Sequence, residues 1–219
     1  MNQRETLIIF IKNPEKGKVK TRLASASGDD AALRIYHYLL KKTRSAALGT
    51  ECDRLLCYSG YIPAADEWPD ASFRKAVQSP GDLGQRMASA FSEAFRSGAQ
   101  KAVIIGSDCP EIDSGLIRNA FDALEHTDFV VGPACDGGYY LLGMKQFTPE
   151  VFGGIHWSTA SVAEETLRLI RSIGRKYTLL PRLSDIDEYD DWVSYISLYP
   201  DAAKEFCSDR NPGSKNNRV

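Results

Sequence analysis

Apolar residues along this chain fall into short continuous runs separated by helical periodicities. TLIIFI (residues 6–11) is a continuous β-branched and aromatic run, and KAVIIG (101–106) and DFVVGPA (128–134) are read as strands too, the former buried. Continuous rather than alternating apolarity predicts strands covered on both faces, as in a parallel sheet. DRLLCYS (53–59), YYLLGM (139–144) and KYTLLP (176–181) are read as further strands. Between them, residues 29–49 place Leu33, Tyr36, Leu40 and Ala47 on one side, with acids opening the segment, Lys and Arg closing it and Gly49 stopping it. Residues 84–98 repeat the pattern with Met87, Phe91, Ala94 and Phe95. Helices are also expected from an Asp113 or Ser114 cap through Ala123, from a Ser158 or Thr159 cap to Ile173, and over 188–199 as the last helix. Residues 61–73 read as a loop with at most a turn of helix. Strands alternating with helices predict an α/β fold, a three-layer α/β/α arrangement around a mostly parallel mixed sheet.

At 219 residues, 43% hydrophobic and 26% charged, the chain suits one domain, set here at residues 1–207. Residues 208–219, SDRNPGSKNNRV, lack apolar content and are expected to be a mobile tail. A net charge of −2 argues against a nucleic-acid-binding surface. No apolar run reaches the ~20 residues of a membrane helix, and the opening MNQRETLIIFI is too short an apolar run for a signal peptide, so no membrane span is expected. Five cysteines without a CxxC argue against a disulfide framework or zinc cluster and fit a reducing, cytoplasmic compartment.

Positive charge is local instead. Lys12, Lys16, Lys18, Lys20 and Arg22 crowd the segment directly after the first strand. Strand, basic loop, helix is the layout of a phosphate-binding turn, with Lys and Arg side chains and backbone N–H groups near Gly17 as donors. Neither GxxxxGK[ST] nor GxGxxG is present. The alternative is a solvated basic loop. Three more clusters follow strands, where open α/β sheets bind ligands. Asp108 in GSDCP ends a buried strand and could give a hard oxygen to Mg²⁺ or Mn²⁺, or cap a turn. Asp136-Gly137-Gly138 in GPACDGGYYLLG reads as a tight turn or as space for a ligand, with Tyr139 and Tyr140 on opposite faces, one toward the core and one toward the cleft. SDIDEYDDW holds five acids in eight positions from Asp185, with Asp185 or Asp187 able to give a second metal ligand or to cap a helix. His156 in HWST could touch substrate or be structural. No nucleophile triad and no glycosidase carboxylate pair is visible.

In order, KNPEKGKVKTRL, IGSDCP, GPACDGGYYLLG, WST and SDIDEYDDW resemble a bacterial family of uncharacterised GT-A-type nucleotide-diphospho-sugar transferases over roughly residues 6–195. Some members carry the name arsenosugar-biosynthesis glycosyltransferase. The KTRL element also resembles that of 2-phospholactate guanylyltransferases and, more distantly, of molybdenum-cofactor guanylyltransferases. The resemblance implies the GT-A fold and a nucleotide or nucleotide-sugar donor, its phosphates held by Lys12, Lys20 and Arg22, with Gly17 and Thr21 in the same binding element. It implies that Asp108 matches the metal-binding Asp of a DxD-like motif, written here SDC with one acid. Asp136, Gly137, Gly138 and Tyr139 would line the acceptor or sugar pocket, joined by His156 and Trp157, and Asp187 would match a late metal-ligating Asp.

Two chemistries fit. In glycosyl transfer, an acceptor attacks the anomeric carbon of a nucleoside diphosphate sugar; Asp108, Lys20 and the cation stabilise the leaving diphosphate and Asp136 serves as base. In nucleotidyl transfer, a phosphorylated small molecule attacks a nucleoside triphosphate and pyrophosphate leaves; the charge of the loop favours this one. A third reading is a nucleotide-binding module without catalysis.

Overall fold

The computed structural model describes residues 4–208. The elements are β1 (Glu5–Ile11), α1 (Thr21–Ser27), α2 (Asp29–Leu48), β2 (Asp53–Tyr58), β3 (Arg74–Val77), α3 (Leu83–Arg96), β4 (Lys101–Ile105), α4 (Ser114–His126), β5 (Phe129–Pro133), β6 (Tyr139–Met144), a 3-10 turn (Pro149–Phe152), α5 (Val162–Ser172), β7 (Tyr177–Leu179), α6 (Tyr189–Leu198) and α7 (Pro200–Ser208). They divide into two compact units. The first holds the described residues up to Asn13 together with Leu39–Asp185; the second holds Pro14–Tyr38 together with the described residues from Ile186. Both units are discontinuous in sequence, so no linker or shift in composition marks their boundary. The expected tail lies outside the described residues except for Ser208, which ends α7.

A seven-stranded sheet in the order β3-β2-β1-β4-β6-β5-β7 forms the first unit. The pairs β1–β2, β1–β4, β2–β3 and β5–β7 are parallel, and β6 runs antiparallel to both β4 and β5. The reversal has a local cause. Only Ala134–Gly138 join β5 to β6, too few residues for a parallel crossover, and the link closes as a hairpin through Ala134 N–H donating to the Gly138 carbonyl at 2.9 Å.

Alternate residues serve alternate faces. Ile8, Leu55, Ile104, Val131 and Leu142 share one cluster with Met87 and Phe91 of α3, Phe152 of the 3-10 turn and Ile170 of α5. On α4, Ile117, Ala120, Phe121 and Leu124 are buried, and this helix packs on β4, β5 and β6. Lys101 is buried at the start of β4 because Glu5 and Glu125 accept from its Nζ; Arg118 also grips Glu5 through two bonds of 2.7 and 2.8 Å. A buried ammonium is stable only when paired in this way.

Four elements differ from the reading of the sequence. α1 begins within the stretch read as loop, because Lys20 takes a left-handed conformation (φ 49, ψ 45) and starts a helix. β3 is a four-residue edge strand whose RKAV has no alternation to reveal it. α6 is followed by α7, opened by Pro200, a residue well suited to a first helical position. α5 starts at Val162 rather than near Ser158, since Ser158 itself lies at φ 63 and the chain turns there before Ser161 takes the cap position.

Candidate functional site

In the second unit the four cations of the basic cluster that follow Asn13 separate into individual roles. Lys16 is exposed and pairs with Asp30 of α2 at 2.7 Å, which raises its pKa. Lys18 pairs with Glu15 at 2.5 Å. Gly17, Thr21 and Arg22 are exposed, Thr21 and Arg22 in the first turn of α1. Lys20 is different: it is buried at 9% exposure, and its Nζ donates to Asp187 Oδ1 at 2.9 Å. Asp187 is set by its own element, because Asp191 Oδ2 accepts from the backbone N–H of Asp187 at 3.0 Å and of Glu188 at 2.8 Å at the start of α6. The same unit holds an aromatic cluster in which Tyr38 meets Trp192 edge-on at 5.4 Å and Phe206 at 6.1 Å.

In the first unit the expected residues gather at the carboxyl ends of the parallel strands. Lys12 is exposed at the end of β1. The next residue, Asn13, is buried and ties β1 to the turn after β2: its Oδ1 accepts from Gly60 and Tyr61 N–H at 3.0 and 3.3 Å, and its Nδ2 donates to the Tyr61 carbonyl at 2.8 Å. Gln78 does the same from the end of β3, donating to the carbonyls of Ile11 and Cys57 and accepting from Arg86.

Asp108 follows β4, half-buried between buried Ser107 and Cys109. The Cys109 thiol is pushed up first by burial and then by the charge of Asp185, with Glu111 adding to it. Asp185 and Glu111 therefore bring negative charge to the same strand end as Asp108.

At the β5–β6 turn, Asp136 is exposed and its Oδ1 accepts from Gly138 N–H at 2.8 Å, the turn chemistry foreseen for this residue. Gly137, at φ 91, leaves no room for a side chain: a Cβ there would stand 2.0 Å from the Ala160 carbonyl oxygen. Neither tyrosine ring lies open. Tyr139 is half-buried on the core cluster with its hydroxyl 3.7 Å from Met87 Sδ, and Tyr140 is buried and donates to the Pro181 carbonyl at 2.8 Å.

The segment carrying His156 and Trp157 is held at both ends. Trp157 packs against Gly84 of α3, where a Cβ would stand 2.4 Å from its ring. Gly137 O accepts from Ala163 N–H at 2.9 Å. His156 is exposed; its backbone N–H donates to Glu165 Oε2 at 2.9 Å and its Nδ1 lies 3.2 Å from Oε1. That backbone bond, the Ser161 hydroxyl and the imidazole hold the Glu165 carboxyl down at about 2.

Among the described residues no group of three or more His, Cys, Asp or Glu is placed to hold a metal ion. A cation caged by protein ligands is not what these residues fit. A single hard carboxylate at a strand end fits Mg²⁺ or Mn²⁺ shared with substrate phosphates and water. The two carboxylates implied as ligands are divided between the units, Asp108 in the first and Asp187 in the second.

Sequence reasoning passed over Asn13, Gln78, Arg86 and Glu165. Asn13 was detectable as a polar residue between a buried strand and a proline; the others act through partners distant in sequence. The five cysteines form no disulfide, and among the described residues no helix is long and apolar enough to cross a membrane.

Comparison with solved structures places the architecture. A proposed nucleotide-diphospho-sugar transferase from Desulfovibrio desulfuricans G20 is 34% identical, with 85% of this chain and 83% of that one covered and a TM-score of 0.79. Rv0371c from Mycobacterium tuberculosis H37Rv, solved as a complex with manganese, is 16% identical over 90% of this chain and 100% of that one, TM-score 0.53. The 4-diphosphocytidyl-2C-methyl-D-erythritol synthase of Anaerococcus prevotii DSM 20548 is 10% identical over 89% and 96%, TM-score 0.54. The last two share the fold. No curated protein matches. Residues 42–159, more than half of the chain, match the family described as uncharacterized protein conserved in bacteria (DUF2064). The chain belongs to that bacterial family, whose fold is that of the nucleotide-diphospho-sugar transferases.

Proposed function

We propose that the protein transfers a glycosyl group from a nucleoside diphosphate sugar to a small-molecule acceptor. The observation that carries this reading is Lys20, a buried, left-handed lysine on the basic loop that follows β1. A non-glycine residue in that region costs energy, and such strain concentrates where a side chain must be aimed. The identity to the Desulfovibrio protein over most of both chains supports a diphosphate sugar as donor. The ion pairs of the loop support it too. Lys16 and Lys18 are each matched by an acid, which leaves less surplus charge than a triphosphate would call for.

In this reading Lys12, Lys20 and Arg22 bind the donor phosphates, and Asp108 would hold Mg²⁺ or Mn²⁺, which would supply charge neutralisation to the departing diphosphate. The anomeric C–O bond to the diphosphate breaks as the acceptor oxygen bonds to the same carbon. The acceptor proton passes to Asp136 at Oδ2, because Oδ1 already accepts from Gly138. Trp157, fixed against Gly84, and the Gly137–Gly138 turn bound the acceptor space.

Titration calorimetry with Mn²⁺ tests the reading by comparing nucleoside diphosphate sugars with nucleoside triphosphates. A diphosphate sugar should bind, and binding should disappear on chelation and in Asp108→Asn. Binding of a triphosphate alone, with pyrophosphate released in the presence of a sugar phosphate, would replace glycosyl by nucleotidyl transfer. Binding of neither would overturn the nucleotide site.

A further inference from the structure

We propose that Asp187 is the counter-ion that positions Lys20, and that its task is to aim this ammonium rather than to ligate a metal. Three features of the second unit lead there. Lys20 lies between Val19 and Leu23, which are 2% and 0% exposed, so its charge can be kept inside only with a partner. Its backbone sits at φ 49 and ψ 45, which directs the side chain away from the path an ordinary helix start would give. Asp187 supplies the partner: Oδ1 accepts from Nζ at 2.9 Å.

The carboxylate is itself fixed. Ile186, 2% exposed, anchors the chain on one side, and Asp191 accepts from the backbone N–H groups of Asp187 and Glu188 on the other. The lysine side chain is 5% exposed and the aspartate side chain 46%, so the pair is buried at its cationic end and open at its anionic end. A divalent cation and an ammonium repel each other at one carboxylate, and here the ammonium holds Oδ1. Fixing Nζ before ligand arrives removes the ordering cost that a mobile lysine meets on binding a phosphate.

The inference deepens the reading of Lys20 as a phosphate-binding group and rests on it for its functional half. The pair itself can be tested without any nucleotide. The full chain, wild type and as Asp187→Asn, Asp187→Glu and Asp187→Ser, would be acetylated with an N-hydroxysuccinimide ester, and Lys20 modification followed by peptide mass mapping against Lys12 in the same sample. Loss of one charge-assisted bond should speed Lys20 modification about tenfold in Asp187→Asn. Asp187→Glu should restore the protection. Asp187→Ser answers the same question should the Asn variant fail to fold. Unchanged Lys20 modification in the folded Asn or Ser variant would overturn the pair.

Calorimetry on the same proteins tests the functional half. Asp187→Asn should weaken nucleotide binding about tenfold while the Mn²⁺ concentration for half-maximal binding stays within about twofold of wild type. A Mn²⁺ requirement raised about tenfold or more would make Asp187 a metal ligand and overturn the proposal. If wild-type protein binds no nucleotide, the proposed function falls, and the acetylation comparison still decides whether Asp187 governs Lys20.

Discussion

A buried lysine and an exposed histidine show how differently two candidate residues are held. Lys20 is held by backbone strain and by the carboxylate of Asp187. His156 is fixed through its backbone and ring by Glu165, whose side chain is 17% exposed and also accepts from Ser161 Oγ at 2.7 Å. These bonds keep the Glu165 carboxyl at about 2, against roughly 4.3 for a free glutamate. Its folded pKa is depressed, so its contribution to stability is complete above the unfolded value and is lost as pH falls through the folded one. The order of the His156–Ser161 segment should therefore persist down to about pH 4 and fade toward pH 2. Trp157 fluorescence checks this, taken as the difference between wild type and Glu165→Gln. A difference that does not change across that window would show that Glu165 is not what holds the segment.

Helix α4 illustrates how an element supports a site it does not enter. Asp113 Oδ1 accepts from Leu116 N–H at 2.7 Å and so begins the helix shortly after Asp108 and Pro110. The buried stripe Ile117, Ala120, Phe121 and Leu124 then seats it on the sheet. Asp113→Ala should cost about 1 kcal/mol, the usual worth of such a cap, and Asp113→Asn should cost a few tenths. Urea unfolding of the two variants measures both. Equal losses would mean that the carboxylate charge matters more than the cap. α5 shows the opposite case. Its capping signal was read at Ser158 or Thr159, yet the left-handed Ser158 and the packing of Trp157 on Gly84 delay the helix to Val162.

Across the whole molecule, the sheet of the first unit ranks its strands by their neighbours. β4 is bonded to β1 on one side and β6 on the other, and all five of its residues are buried. β3 and β7 are short edges with no buried residue. Amide exchange should be slowest at Val103 and Ile104 and fast at Lys75 and Thr178. Mass-resolved exchange of the full chain would measure this order, and equal protection at centre and edge would contradict the strand order.

The central strands of the sheet were legible in the sequence because each carries a continuous apolar run whose burial on two faces leaves no other use for it, while the edge strand β7 showed only through its short apolar run. β3 escaped because a four-residue edge half open to solvent has no such constraint. The glycine-rich turn after β5 and the cap at Asp113 were legible because their chemistry is local. The antiparallel placement of β6 required only the count of residues between two strands, yet its partner β4 did not show in the sequence, since strand order depends on contacts distant along the chain. The same holds for the candidate site. Residue type and position after a strand picked out Asp108, Asp136 and the basic loop. Which of five cations is buried, and which acid faces it, depends on Lys20 meeting a residue 167 positions away. Pairing at that separation is decided by burial and geometry, and only the tertiary structure supplies them.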